Sequence, residues 1–268
     1  MKPTDVDAVT WLVAAGRPDR PGEPLNAPLV PASNFLLGTG RVYSRDGGTP
    51  GWDALETLIG GLEGGEAVAF ASGMAGIFST FGALLGSGDH VVSARSVFGS
   101  THALFTKYLP KWNISTSYFN IEDVDTVEDL IHPNTKILFA ETPTNPGLDI
   151  LDLEFLGRVA KKHKLILVID NCFATPYLQQ PIRFGADLVI HSGTKLMDGQ
   201  GRVLAGITVG SHDLIDRVYR FARITGPALS PFHAWLLSKS LETLSVRMEA
   251  HCRQALALAQ WLERQAQP

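Results

Sequence analysis

ADLVIHSGTKLMDGQGRV (186–203) is the stretch on which the fold turns. Its first part, ADLVIHS (186–192), is a continuous apolar run with a polar end. Such a run reads as a strand buried on both faces, the central strand of a parallel sheet. The residues after it are small, hydroxylated and glycine-rich, the composition of a loop at the strand's carboxyl end. In an open α/β sheet, ligands bind at that end. Lys195 comes after Ser192, Gly193 and Thr194 there. It is either a solvated loop charge or a working amine, and the rest of the chain has to decide.

On either side of this stretch, strands and helices alternate. Strands are predicted at 66–72, 89–94, 114–119, 135–141, 165–170, 186–192 and 204–210. Helices are predicted from Trp52 onward (WDALETLIGGLEG), at 73–85, 101–112, 124–131 and 153–164, and from about 233 to the end. Gly60 and Gly61 weaken the first of these by roughly 1 kcal/mol each relative to alanine. Repeated βα units with apolar strands argue an α/β fold: a mostly parallel seven-stranded sheet between helices. Residues 1–50 are rich in Pro and Gly and read as an extended arm lying on something else, such as another subunit. The expected organisation is an arm over 1–50, a large domain over 51–232 and a helical segment over 233–268.

The chain has 268 residues, 45% of them hydrophobic, enough for a real core. Its formal net charge is -4, and no basic stripe suggests a nucleic-acid partner. KKHK (161–164) reads as a solvated helix end. The two cysteines, Cys172 and Cys252, fit neither a metal ribbon nor a disulfide framework. Free thiols, the lack of an apolar signal region in MKPTDVDAV and the lack of a membrane-length apolar run predict a soluble cytoplasmic protein with no membrane partner. No metal site is expected.

Several familiar chemistries lose their support. There is no GxGxxG after the first strand, no GxxxxGK[ST], no GxSxG and no HExxH. Three features remain at strand ends. Ser72, Gly73 and Met74 open a helix after the first strand, where free backbone N–H groups and the helix dipole suit an anion; a plain serine N-cap reads equally well. Asp170 ends the most apolar strand, where a carboxylate needs a partner or caps the next turn. Lys195 stands beside the hydroxyls of Ser192 and Thr194. Phosphate donors, an acid for a cationic ring nitrogen and an amine for a Schiff base are together what pyridoxal 5′-phosphate (PLP) requires.

Longer motifs extend this reading: YSR at 43–45, ASGMAGI at 71–77, ETPTNP at 141–146, DNCFATPYLQQP at 170–181 and HSGTK at 191–195. With these the chain resembles the Cys/Met-metabolism branch of fold-type I PLP enzymes, which share the aspartate aminotransferase-like large domain. SVFGSTH (96–102), KLMDGQGRVLAG (195–206) and GPALSPFHAWLLSKSLETL (226–244) resemble most its O-succinylhomoserine sulfhydrylase type. The resemblance implies that Lys195 carries the cofactor and shuttles protons, that Asp170 pairs with the ring nitrogen and that Phe98 stacks on the ring. Many relatives have tyrosine in the place of Phe98. It implies that Gly73 and Met74 N–H groups, beside Ser72, bind the phosphate with the Ser192 and Thr194 hydroxyls. Tyr43 and Arg45 are then expected to reach the phosphate of a neighbouring subunit in a homodimer or homotetramer. Asn145 is expected near the ring oxygen and the substrate carboxylate.

The activity implied is γ-replacement: O-succinylhomoserine and sulfide give homocysteine and succinate, a trans-sulfuration step of methionine biosynthesis. Cystathionine γ-synthase or γ-lyase chemistry is the alternative. The resemblance also implies a smaller C-terminal domain beyond Pro268, carrying the arginine that grips the substrate carboxylate. Arg247, Arg253 and Arg264 match no motif for that role. A chain cut there is expected to bind the cofactor without necessarily turning over. Relatives have Asn-Pro-Thr where this chain has RDGGTPGW (45–52), which sets Gly51 at the helix start.

Overall fold

The computed structural model describes residues 3–38 and 40–265. Residues 1, 2, 39 and 266–268, which belong to the expected arm and to the terminal helical segment, lie outside the described residues. Seven strands form one sheet: β1 (Glu66–Phe70), β2 (His90–Ala94), β3 (Ser115–Phe119), β4 (Thr135–Glu141), β5 (Ile166–Asp170), β6 (Leu188–Ser192) and β7 (Gly206–Gly210). Their spatial order is β1-β7-β6-β5-β4-β2-β3. Only β7 runs against its neighbours, β1 and β6. All seven lie where the apolar runs predict them, within two residues at each end.

The alternation of side chains divides the core between two helical layers. Val68, Phe70, Phe139, Val168 and Ile190 face one layer, where α4 (Gly73–Leu84) and α8 (His212–Thr225) pack. Ala69 and Ile207 face α3 (Pro50–Glu63) and α9 (Pro231–Leu241), and Leu138, Ile169 and Val189 face α6 (Leu153–His163). Between them lie α1 (Ala8–Ala14), the single turns α2 (Ser44–Gly47), α5 (Gly99–Ala103) and α7 (Thr175–Leu178), and the long α10 (Leu244–Gln265). Among the described residues, no helix is long and apolar enough to cross a membrane.

Several elements depart from the sequence reading. First, part of the expected arm is core: α1 buries Trp11 and Leu12 against α3. The Trp11 ring lies on Gly61, where a Cβ would meet Cζ2 at 2.3 Å, and its Nε1 donates to the Leu58 carbonyl at 2.8 Å. The glycine that weakens α3 locally is thus the seat for Trp11. Second, α3 begins at Pro50 rather than Trp52, because Thr49 caps it by accepting the Trp52 N–H at 3.2 Å. Gly51 sits inside the helix and is not its cap. Third, 101–112 is not one helix but α5 followed by a π turn and a 3-10 turn, which ends where Asn113 adopts φ 58°. Fourth, α8 occupies a segment to which the sequence reading assigns no element. The terminal helical segment is broken between α9 and α10 at Glu242 and Thr243.

Candidate cofactor site

Counting in twos along the strands places the site. Glu141, Asp170 and Ser192 each stand two residues beyond a core residue of the α4 layer: Phe139, Val168 and Ile190. They therefore leave the carboxyl ends of β4, β5 and β6 on one face. Glu141 and Asp170 are direct cross-strand partners. Helix α4 begins at the same end. Ser72 caps it by accepting the Ala75 N–H at 3.1 Å, and the N–H groups of Gly73 and Met74 have no carbonyl a turn back. Two glycines allow this approach. A Cβ on Gly73 would lie 3.0 Å from Ser192 Cβ, and one on Gly206 would lie 2.1 Å from the Ser72 carbonyl oxygen.

These elements enclose a cavity of about 470 Å³. Nine expected residues line it: Ser72, Gly73, Met74, Phe98, Asn145, Asp170, Ser192, Thr194 and Lys195. Lys195 sits in a π turn, Gly193–Met197, at the end of β6, where the backbone leaves helical geometry (φ -91°, ψ -129°). The Thr194 hydroxyl already bonds Ala205, accepting its N–H at 3.2 Å and facing its carbonyl at 3.4 Å. Tyr43 and Arg45 do not line this chain's cavity. The Tyr43 side chain is exposed, the Arg45 guanidinium lies 5.2 Å from its ring, and Arg45 donates to the Arg223 carbonyl.

The sequence reading passes over Glu141, Cys172 and Phe173, which also line the cavity. Glu141 had a legible signal, since it is a carboxylate ending an apolar strand, like Asp170. It accepts the Phe98 N–H at 2.6 Å and so fixes the backbone that carries the Phe98 ring. Burial holds the Glu141 carboxyl above its ordinary range, opposed by the N–H groups of Phe98 and Asn145.

Asp170 is the electrostatic centre. Burial, then the Glu141 charge, push its carboxyl up to about 8, opposed by the Cys172 N–H that donates to Oδ1 at 3.1 Å. The capping reading of Asp170 therefore holds for Oδ1. Among the described residues no cation pairs with this carboxylate. A buried acid of that kind fits a cationic partner brought by a ligand, and a pyridinium N–H has the required charge and donor. Cys172 is no ordinary thiol either: burial and then Asp170 push it up to about 12, so it stays protonated.

On the opposite face of β6, His191 and Glu63 are fully buried and bonded at 2.9 Å (Nε2 to Oε2). This pair ties the end of α3 to the strand that presents Ser192. Among the described residues no group of His, Cys, Asp and Glu is arranged to hold a metal ion.

Known proteins share this arrangement of chain. The O-succinylhomoserine sulfhydrylase of Pseudomonas aeruginosa is 49% identical over 227 residues, covering 84% of this chain and 56% of that protein. The cystathionine gamma-lyase of Bacillus subtilis is 43% identical, over 84% of this chain and 59% of that protein. The chain thus spans little more than half the length of these curated relatives. Among solved structures, metB from Corynebacterium glutamicum superposes with a TM-score of 0.95 at 34% identity, covering 98% of this chain and 71% of that one. The cystathionine gamma-lyase from Lactobacillus plantarum complexed with L-serine gives 0.92 at 34% identity, covering 96% and 69%. The family model of the Cys/Met metabolism PLP-dependent enzymes matches residues 17–267, and the chain belongs to that family.

Proposed function

We propose that the chain carries the cofactor half of a γ-replacement site that converts O-succinylhomoserine and sulfide to homocysteine and succinate. The observation behind this reading is Asp170, a buried carboxylate with no cation among the described residues, in one cavity with the Lys195 amine. Bound PLP supplies an electron sink for the substrate's Cα. Asp170 would accept the ring N–H and favour the protonated nitrogen. Gly73 and Met74 N–H groups and the Ser192 hydroxyl hold the phosphate at the positive end of α4. Thr194 joins them by turning its proton away from the Ala205 carbonyl.

Lys195 would hold the cofactor, and a substrate amine taking its place would free the lysine amine. The released amine then takes the proton from Cα. Once it has passed that proton on, the neutral Lys195 amine would take a second one from Cβ, letting the ester oxygen leave Cγ as succinate; sulfide would then add at Cγ, and protons returned through Lys195 to Cβ and Cα would complete homocysteine. Phe98 offers a ring face for stacking and has no hydroxyl, so the proton transfers fall to Lys195. The 49% identity to a named O-succinylhomoserine sulfhydrylase favours this ester and this nucleophile. The likeness to cystathionine gamma-lyases keeps γ-elimination as the second reading. Tyr43 and Arg45, outside this cavity and partly exposed, serve the phosphate of a second copy in a homo-oligomer.

The test is direct. The chain is incubated with PLP, reduced with borohydride and digested, and the adduct is located by mass spectrometry. An adduct on Lys195, absent in Lys195→Ala, is expected; its absence in the unaltered chain overturns the cofactor assignment. Homocysteine production from O-succinylhomoserine and sulfide is then measured. Cystathionine formed in preference when cysteine is offered beside sulfide defeats the sulfhydrylase reading. An adduct without turnover assigns this chain to cofactor binding alone.

A further inference from the structure

We propose that Arg247, on the first turns of α10, is a positioning residue that fixes the Lys195 turn from outside the cavity. The proposal rests on Lys195 being the attachment residue. The turn closes with Asp198 N–H donating to the Gly193 carbonyl at 3.1 Å and Gly199 N–H to the Lys195 carbonyl at 2.8 Å. The chain then leaves at Gly199 (φ 70°), so no further helical turn satisfies the carbonyls of Leu196 and Met197. Carbonyls at a helix end need another donor.

Arg247 is that donor. Its Nη1 donates to the Leu196 carbonyl at 2.6 Å, and its Nη2 to the Met197 and Ser240 carbonyls at 2.9 and 3.0 Å. Nε donates to Thr243 Oγ1 at 3.2 Å, which anchors the guanidinium to its own helix. The glycine at 199 makes the room: a Cβ there would lie 2.3 Å from Nη1. Beneath the turn, fully buried Asp198 accepts from Ser240 Oγ at 2.9 Å and from Arg202 Nη2 at 3.0 Å. The residues after Lys195 are thus pinned to α9 and α10, while its side chain faces the cavity. One planar guanidinium reaches three carbonyls at fixed angles, which the compact ammonium of lysine does not reproduce. With the base of a four-carbon stem held in place, the amine has less freedom to miss its target. A misplacement of about 1 Å at a reacting group costs on the order of a hundredfold in rate.

The experiment uses the full chain with Arg247→Met, Arg247→Lys and, as control, Arg253→Ala on the exposed part of α10. Two quantities are read: amide hydrogen exchange at 198 and 199 without cofactor, and the rate at which PLP becomes trappable by borohydride on Lys195. Arg247→Met is expected to raise exchange locally and to slow trapping on the order of a hundredfold. Guanidinium ion well below denaturing concentration is expected to restore both. Arg247→Lys is expected to be slow as well, since charge alone is not what the turn lacks. Should Arg247→Met unfold, Arg247→Lys carries both readings. Unchanged exchange, or faster exchange with trapping as quick as in the unaltered chain, overturns the proposal. An unaltered chain that traps no PLP on Lys195 overturns the attachment reading instead.

Discussion

Asp170→Asn should make the cofactor-free chain more resistant to alkaline conditions while weakening its hold on PLP. In the folded chain the Asp170 carboxyl titrates at about 8, against its ordinary 3.8. Between those values the folded state keeps a proton that the unfolded state has released. Raising the pH therefore favours unfolding: the contribution of Asp170 is fully present below about 3.8 and is lost as the pH approaches 8. Near neutrality about three pH units of that window have been crossed, at about 1.4 kcal/mol each, a loss of about 4 kcal/mol. This is an upper figure, because part of the shift comes from the neighbouring Glu141 charge, and protonation of Glu141 would remove that part.

The replacement keeps an oxygen for the Cys172 N–H and removes the titration. The assay is urea denaturation of both chains without cofactor at a series of pH values from mildly acidic to mildly alkaline. The stability difference in favour of Asp170→Asn should grow with pH by a few kcal/mol. With PLP present the order should reverse, since the charged carboxylate then has its cationic partner. A difference that stays flat across the series would refute the claim that burial without a cation perturbs Asp170.

Packing and charge lead to two further outcomes. Gly61→Ala, a stabilising change in an isolated helix, should here destabilise by about 1–3 kcal/mol, because its methyl enters the Trp11 ring; equal or greater resistance to urea would contradict that contact. His90 is held below its ordinary range by burial and then by the stacked His132 ring, 4.3 Å away. It should stay neutral in the folded chain on acidification past its ordinary 6.5, and the stability it contributes above 6.5 should be lost progressively between 6.5 and its own lower value, while the unfolded chain takes up the proton. An NMR titration with a His90 midpoint at or above 6.5 would contradict this reading.

The legibility of the molecule differs by feature. The central strands are readable because each is a short apolar run bounded by turn residues and buried on both faces, while the edge strand β3, STSYF, is only partly buried and is carried by its β-branched and aromatic residues. Asp170, Lys195 and the Ser72-Gly73-Met74 helix start are readable for a related reason: polar chemistry at the end of a buried strand is conspicuous against its neighbours. Helix α8 is harder to see, since only Ile215 and Val218 are buried. The fate of α1 is hidden because Trp11 and Gly61 are fifty residues apart, and only packing tells that one fits the other.

The sequence by itself thus determined the seven strands and the residue types at their ends, since both derive from local patterning and from the cost of burying polar groups. The tertiary structure decided which of those ends meet. Strand order put Glu141 beside Asp170, so that the Glu141 charge adds to burial in raising the Asp170 carboxyl. The fold of residues 43–45 onto α8 kept Arg45 out of this chain's cavity. The path of α10 brought Arg247, without a motif of its own, onto the turn of Lys195. These pairings join residues separated by about 30 to nearly 180 positions, and only the packed geometry of sheet and helices, acting over a few ångströms, selects them.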